Sequence, residues 1–282
     1  MLDLFSPLPL DARAESRSAY RAFLADRDGD VDAPRRTLSR REERMERHLQ
    51  PLSHTRPLDR ALFDRQYASF DAAVETPEAM LLLLAMVKTN AAEAYGVNRA
   101  FDKAYKQAVR EKDDLELVLL IEESYHTRIL LSTSRLYGLD ITAPFAPTAA
   151  FRALIGGIIG MPRFVSRPLT LASEILGTLA FLKLLHAAGR ILKDDPELRD
   201  AVEERILEVI IDEVGHVSYN RMCLGSAGLA QARMLLPIVM LGLKDLIGET
   251  KKLGLTITPD AAALVETRSG LPEVVRKAAF VA

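Results

Sequence analysis

Residues 205–217 read Arg-Ile-Leu-Glu-Val-Ile-Ile-Asp-Glu-Val-Gly-His-Val, and this segment is the most informative about the fold. Its apolar residues recur at three- and four-residue spacing, the period of a helix with one buried face: Ile206, Val209, Ile210 and Val217. Glu213 and His216 lie on that same face, because a spacing of three places two side chains about one helical turn apart. A carboxylate and an imidazole among core residues are costly unless they have partners.

The same pattern occurs elsewhere in the chain. Glu123 precedes His126 by three residues on a second apolar helix, and two further helices each carry one glutamate on an apolar face, Glu93 and Glu174. The order along the chain is Glu, Glu-x-x-His, Glu, Glu-x-x-His. The periodicity predicts the four helices at about 77–110, 114–137, 169–192 and 196–224.

The connection between the second and third of these helices is long and contains several prolines. One long crossover in an otherwise up-and-down bundle is the connectivity of ferritin-like proteins. Strand patterns are nearly absent. We therefore predict an all-α protein, a ferritin-like four-helix bundle with additional peripheral helices. Its parts are an N-terminal arm with short helices (1–56), the bundle (57–254) and a C-terminal helical tail (255–282).

The charge of the chain gives no general argument for a polyanionic partner. The net charge is −2 over 282 residues, so we expect neither nucleic acid nor an anionic membrane as a partner. Arginines concentrate near the N-terminus, in runs such as Arg35-Arg36 and Arg40-Arg41. Because glutamates alternate with them, a solvated helix face is a better interpretation than a phosphate-binding patch.

The cellular location is predicted from what the sequence lacks. Cys223 is the single cysteine, so no internal disulfide can form and no oxidising compartment is implied. Residues 1–10 lack the charged and apolar regions of a signal peptide. The longest apolar runs, 79–87 and 234–243, are too short for a transmembrane segment. We predict a cytoplasmic protein.

Four carboxylates and two imidazoles converging in one helical bundle match a di-metal carboxylate site. Two divalent ions would neutralise carboxylates that otherwise repel each other, and the imidazoles supply nitrogen donors that suit iron. A single Glu-x-x-His pair is a weak signal, whereas two pairs and two single glutamates in this order are a strong one. The alternative is a structural bundle without metal. The predicted ligands are Glu93, Glu123, His126, Glu174, Glu213 and His216.

Two further carboxylates directly precede the glutamates of the Glu-x-x-His pairs. Metal-bound histidines usually donate their second N–H to a carboxylate. We expect Asp212 to orient His126, and Glu122 to orient His216; for Glu122 an exposed helix charge is the alternative. Glycines near the ligands, Gly96, Gly177 and Gly215, indicate either a cavity beside the metals or close helix packing.

The two motifs resemble those of the ferritin-like di-iron oxidases and oxygenases, and especially the p-aminobenzoate (arylamine) N-oxygenase branch. Residues 122–127, Glu-Glu-Ser-Tyr-His-Thr, are similar to that family's Asp-Glu-Ser-Phe-His-Thr. Residues 212–216, Asp-Glu-Val-Gly-His, are similar to its Asp-Glu-Thr-Ala-His. The family has an additional histidine ligand one turn before its last glutamate, where this chain has Val209.

The resemblance implies an O2-dependent di-iron monooxygenase that oxidises an organic substrate by N-oxygenation or C–H hydroxylation. Its cofactor would be two Fe ions, with Mn at one or both positions as the alternative. Electrons would come from an external ferredoxin or reductase, because no flavin or nicotinamide fingerprint occurs. An acyl desaturase-type oxidase and a ferroxidase or other iron-handling protein are the competing functions.

Two apolar segments outside the four helices bear on the substrate. Residues 151–165 and 230–242 are suited to line or cover a pocket for a hydrophobic or aromatic substrate. They are equally suited to core packing or to a homodimer contact, and periodicity does not separate these possibilities.

Overall fold

The computed structural model describes residues 4–28, 38–49, 52, 57–89, 91–111, 114–243, 248–257 and 270–282. These residues form helices and connections without a strand, so the prediction of an all-α protein is confirmed. The α-helices in chain order are α1 Leu10–Asp28, α2 Ser39–Leu49, α3 Arg60–Ala68, α4 Glu78–Thr89, α5 Ala91–Glu111, α6 Leu115–Ser132, α7 Ala149–Gly160, α8 Arg163–Ile191, α9 Pro196–Met222, α10 Ser226–Leu243, α11 Gly248–Lys252 and α12 Glu273–Ala278.

The four helices that carry the predicted ligands pack as two pairs. Helix α5 lies along α6 and α8 lies along α9, while α6 also contacts α9. Helix α10 packs along α8, and α4 contacts both α6 and α8. Among the outer helices, α1 packs on α9, and α2 packs on both α6 and α9.

The first ligand-bearing segment is two helices rather than the single predicted helix at 77–110. Helix α4 ends at Thr89 and α5 begins at Ala91, while residue 90 lies outside the described residues. The Thr89 hydroxyl donates a hydrogen bond to the carbonyl of Ala85 at 2.6 Å, and such back-bonding bends helices. Helix α4 is apolar on all sides and is buried from Met80 to Lys88, as expected for a helix in the middle of a core.

The third ligand-bearing helix begins earlier than predicted. Helix α8 starts at Arg163 and includes Pro168, whereas the sequence predicted a helix that begins after this proline, at residue 169. This prediction was wrong because Pro168 lies in the second turn, where a proline removes a single hydrogen bond, the one to the carbonyl of Phe164.

The other two ligand-bearing helices end and begin where the sequence indicated. After α6, a short 3-10 helix, Thr133–Tyr137, leads to Gly138, whose φ of 70° needs a glycine or an equivalent turn residue. Asp195 caps α9 by accepting a hydrogen bond from the Leu198 amide at 3.3 Å. Pro196 occupies the first turn, where its missing N–H costs nothing.

The terminal segments are only partly described. Helix α1 has 19 residues, longer than the short helices expected in the arm. The arginine pair at 35–36 lies outside the described residues, as does 258–269 of the tail. The end of the tail packs on α9, where Arg221 donates to the carbonyl of Ala282.

One described helix is long and apolar enough to cross a membrane by length and composition. This helix is α8, and 56% of its most apolar window is buried inside the protein. A core helix of a soluble protein passes the same test, so the structure is consistent with a soluble protein.

Candidate metal centre

Helices α6, α8 and α9 bring four of the predicted ligands into one cluster. One ligand atom from each of four residues lies within 4.8 Å of the other three: Glu123, Glu174, Glu213 and His216. The His216 Nδ1 atom is 2.8 Å from Glu123 Oε1 and 3.8 Å from Glu174 Oε2. This buried cluster of carboxylates with an imidazole could hold a metal ion.

The remaining two predicted ligands border this cluster. His126 Nδ1 lies 3.4 Å from Glu123 Oε2 and 3.5 Å from Glu213 Oε1. Glu93 comes from the first turn of α5. A methyl group built at Gly177 of α8 would lie 3.5 Å from Glu213 Oε2 and 3.8 Å from Glu93 Oε1, so these two carboxylates border the same point of the site. The structure therefore brings all six predicted side chains together.

Each histidine turns one ring nitrogen inward and the other toward a carboxylate behind it. His126 Nε2 is 3.0 Å from Asp212 Oδ2, and His216 Nε2 is 3.1 Å from Glu122 Oε2. These are the two pairs expected from the sequence, and Glu122 is buried rather than an exposed helix charge. That they orient metal-bound imidazoles stays a prediction.

The inward-facing atoms have the donor chemistry of a metal site. Among the described residues, the buried side-chain atoms without a hydrogen-bond partner include five that face one another in this cluster: Glu123 Oε2, His126 Nδ1, Glu213 Oε1, Glu213 Oε2 and His216 Nδ1. Native proteins rarely leave buried polar atoms without partners, and an ion is one established reason for such atoms. The residues present therefore fit a metal ion, which would accept the lone pairs of all five.

The ligand carboxylates have unequal proton affinities. Burial would raise the pKa of Glu123, but His216 and His126 outweigh burial and lower that pKa to about 2. For Glu93 and Glu213, burial and the charge of nearby Glu123 raise the pKa well above its ordinary value. Without cations, protonation is therefore favoured at Glu93 and Glu213 more than at Glu123.

The two histidines share this electrostatic environment. Burial would lower the pKa of His126 and His216, but the carboxylates around each ring outweigh burial and raise it well above its ordinary value. In the metal-free protein this environment favours the protonated imidazoles, whose charge offsets part of the negative charge of the cluster. A metal ion can bind only after the Nδ1 proton has left.

Metal binding should consequently release protons. The raised pKa values of Glu93, Glu213, His126 and His216 mean that protons occupy groups which an ion requires in deprotonated form. We expect the affinity for Zn²⁺ or anaerobic Fe²⁺ to fall as the pH is lowered from about 8 to about 6. Titration calorimetry in two buffers of different ionisation enthalpy measures the released protons. A binding heat that does not depend on the buffer would contradict the prediction.

The cluster has a closed side and a more accessible side. The rings of His126 and His216 are fully buried, beneath α1 and α2. The Glu174 side chain keeps 15% of its surface exposed and that of Glu123 keeps 9%. The cluster is therefore exposed toward its glutamate side, at Glu174 of α8, rather than toward its histidine side.

The three glycines near the ligands have different surroundings. At Gly177, an added methyl group would be in ordinary contact with two ligand carboxylates, so this glycine leaves a small space beside them. At Gly96, the nearest side chain is Ile155 of α7, at 3.6 Å from the same hypothetical atom. At Gly215, the ring of Tyr20 would be only 3.3 Å away. Gly215 therefore serves close helix packing rather than a cavity.

Two arginines next to the site were not predicted as part of it. Arg41 of α2 is 2% exposed and contacts Glu122, Glu208 and Asp212. Arg27 of α1 donates from Nε to Asp212 Oδ1 at 2.8 Å. The expectation of a solvated face was therefore wrong for Arg41. The usable signal was that Arg41 lies three residues after buried Leu38 and four residues before buried Met45.

Comparison of this chain with protein-family models, with curated proteins and with solved structures found no match.

Proposed function

We propose that this protein is a non-haem di-iron oxygenase that activates O2 to oxidise a small or hydrophobic organic substrate. The observation that carries the proposal is the arrangement of the two histidines. Each ring nitrogen that faces the cluster lacks a hydrogen-bond partner among the described residues, and each outer nitrogen contacts a buried carboxylate. This arrangement directs Nδ1 of each ring toward the cluster, where it would bind a metal ion once its proton has left.

The donor set favours two iron ions at this position. Four carboxylates can balance the charge of two divalent ions, and a Glu-x-x-His pair on each of two helices is typical of di-iron and di-manganese bundles. We propose Fe at both positions and keep Mn at one or both as the alternative. The ferritin-like arrangement of the four ligand-bearing helices is part of the same proposal.

The protein side chains would then have distinct tasks. Glu123 contacts both histidines and would hold metal together with them, and Glu174 would do so from the exposed side of the cluster. Glu93 would add a carboxylate from α5, beside Glu213. The iron pair would supply the electrons that reduce O2, and those electrons would be replaced by an external ferredoxin or reductase. Asp212 and Glu122 would hold the imidazoles in one orientation.

The substrate would approach from the glutamate side. Helix α7 is apolar except for Arg152 and packs on α5, where Ile155 lies against Gly96 one turn after Glu93. A short apolar helix above the accessible side favours a hydrophobic or aromatic substrate over a charged one. N-oxygenation and C–H hydroxylation are the two reactions we propose for it, in a cytoplasmic protein.

A single-turnover experiment with ¹⁸O2 tests this function. The protein is loaded with Fe²⁺ without oxygen, reduced, and exposed to ¹⁸O2 with an arylamine, an aromatic hydrocarbon or a fatty acyl compound. We expect ¹⁸O in one class of product, in an amount limited by the iron centres present. Fe²⁺ oxidation with no labelled or desaturated product, and with continued iron uptake, would instead show an iron-handling protein and overturn the proposal.

A further inference from the structure

A buried guanidinium joins the two carboxylates that lie behind the histidines. Arg41 Nη1 is 3.4 Å from Glu122 Oε1, and Nη2 of the same side chain donates to Asp212 Oδ2. Glu122 contacts His216, and Asp212 contacts His126. One side chain of α2 is thus linked, through one intervening group on each branch, to both imidazoles of the candidate metal centre.

The remaining contacts of Arg41 fix its position. Nε donates to Glu208 Oε1 at 2.9 Å, and the guanidinium lies 4.5 Å from the centre of the Tyr125 ring. The Tyr125 hydroxyl donates to the same Glu208 oxygen at 3.2 Å. A planar guanidinium with a fixed set of donors can hold several carboxylates in one geometry, which the point charge of a lysine does less well.

A second arginine completes the network. Arg27 Nε donates to Asp212 Oδ1 at 2.8 Å, so the two oxygens of Asp212 are held by arginines from two different helices. Arg27 also lies 3.1 Å from Glu208 Oε2. Three buried carboxylates therefore face the buried guanidinium of Arg41 and the partly buried one of Arg27, with the half-exposed Arg44 at the edge of Glu208. This near balance of charge is what permits such groups to be buried.

The contacts also determine which atom of His126 carries the proton. Both oxygens of Asp212 form ion pairs with guanidinium groups, Oδ1 with Arg27 and Oδ2 with Arg41. An ionised carboxylate only accepts hydrogen bonds, so His126 must donate from Nε2. When that ring is neutral, its lone pair is on Nδ1, the atom that faces the ligand cluster.

We infer that Arg41 is a positioning residue of the metal centre, and that α2 is thereby part of that centre rather than an accessory helix. Arg41 holds Asp212 and Glu122 so that both histidines present Nδ1 to the metal ions. The inference rests on the proposed metal centre but does not depend on which reaction it performs. A purely structural ion-pair network is the competing explanation. Only a positioning role predicts that loss of Arg41 changes the orientation of the two imidazoles and the affinity for metal.

The test uses the full-length protein loaded with Zn²⁺, which is diamagnetic and therefore suited to NMR. Arg41→Met should weaken Zn²⁺ binding about 10- to 100-fold in a chelator competition, the usual effect of removing a group that orients metal ligands. It should also abolish the slowly exchanging Nε2–H signals of His126 and His216. Arg41→Lys should recover part of the affinity, because it restores the charge without the planar donor set.

Arg44→Met is the matched control. Arg44 lies on the same helix and contacts Glu208 Oε1 at 3.4 Å, whereas the carboxylates behind the two histidines, Glu122 and Asp212, are contacted by Arg41. This variant should keep wild-type affinity and both imidazole signals. If Arg41→Met is less stable but keeps that affinity and both signals, the role of Arg41 is structural and our inference is wrong, while the metal centre stands. Failure of the wild-type protein to bind Zn²⁺ or Fe²⁺ would overturn both.

Discussion

Replacing His216 by alanine should reduce the bound iron from about two ions per chain to one or fewer. The His216 Nδ1 atom lies 2.8 Å from Glu123 Oε1 and 3.8 Å from Glu174 Oε2, in the middle of the ligand cluster. Alanine removes this nitrogen donor and leaves Glu122 without its imidazole partner. We expect the loss to be seen by metal analysis after anaerobic reconstitution, together with the loss of O2-dependent oxidation.

His48→Ala is the control for the histidine substitution. His48 is half-exposed at the end of α2, where its Nδ1 contacts Glu204 at 2.8 Å. Surface substitutions of this kind usually change stability by no more than about 0.5 kcal/mol. The His48 variant should bind iron as the wild type does. Equal iron content in the His216 and His48 variants would show that His216 is not a ligand.

Replacing Glu213 by leucine should have opposite effects on stability and metal binding. Glu213 is fully buried, and neither of its oxygens has a hydrogen-bond partner among the described residues. Burying a polar group without a partner costs about 1–3 kcal/mol, so leucine should increase the free energy of unfolding of the metal-free protein by about that amount. The same change removes a predicted ligand and should abolish the stabilisation that metal ions give to the wild type.

Urea unfolding with a chelator and with added Zn²⁺ measures both effects. Glu204→Leu is the matched control on the same helix, because Glu204 is at the surface and pairs with His48. That variant should change the free energy of unfolding by no more than about 0.5 kcal/mol in either condition. If Glu213→Leu destabilises the metal-free protein, its carboxyl is a structural group with a partner, contrary to the ligand assignment.

The sequence was most informative where function and helix periodicity coincide. A glutamate on an apolar helix face conflicts with its surroundings, so Glu93, Glu123, Glu174 and Glu213 stand out without a structure. The three-residue spacing to His126 and His216 then places each pair on one face. Local patterns also placed the bounds at 137 and 196, which agree with the 3-10 helix that ends at Tyr137 and with α9, which begins at Pro196.

The sequence was least informative where an outcome depends on distant packing. Arg41 lies in α2, and most residues of this helix are charged. The composition of α2 therefore indicated a solvated face, although the Arg41 side chain is 2% exposed. Only the arrangement of α2 against α6 and α9 shows which arginine enters the core. Likewise, the sequence allowed either a cavity or close helix packing at Gly215. The ring of Tyr20, almost two hundred residues away in the chain, lies against Gly215 and shows that the contact is close packing.

We propose that two iron ions lie between these six side chains. Anomalous X-ray diffraction at the iron edge would locate these ions. Crystals of protein reconstituted with Fe²⁺ without oxygen should show two anomalous peaks about 3.5–4 Å apart. Each peak should lie within about 2.0–2.3 Å of one histidine Nδ1 and of glutamate oxygens. A cluster without anomalous density, with its carboxylates and imidazoles hydrogen-bonded to one another or to water, would contradict the claim.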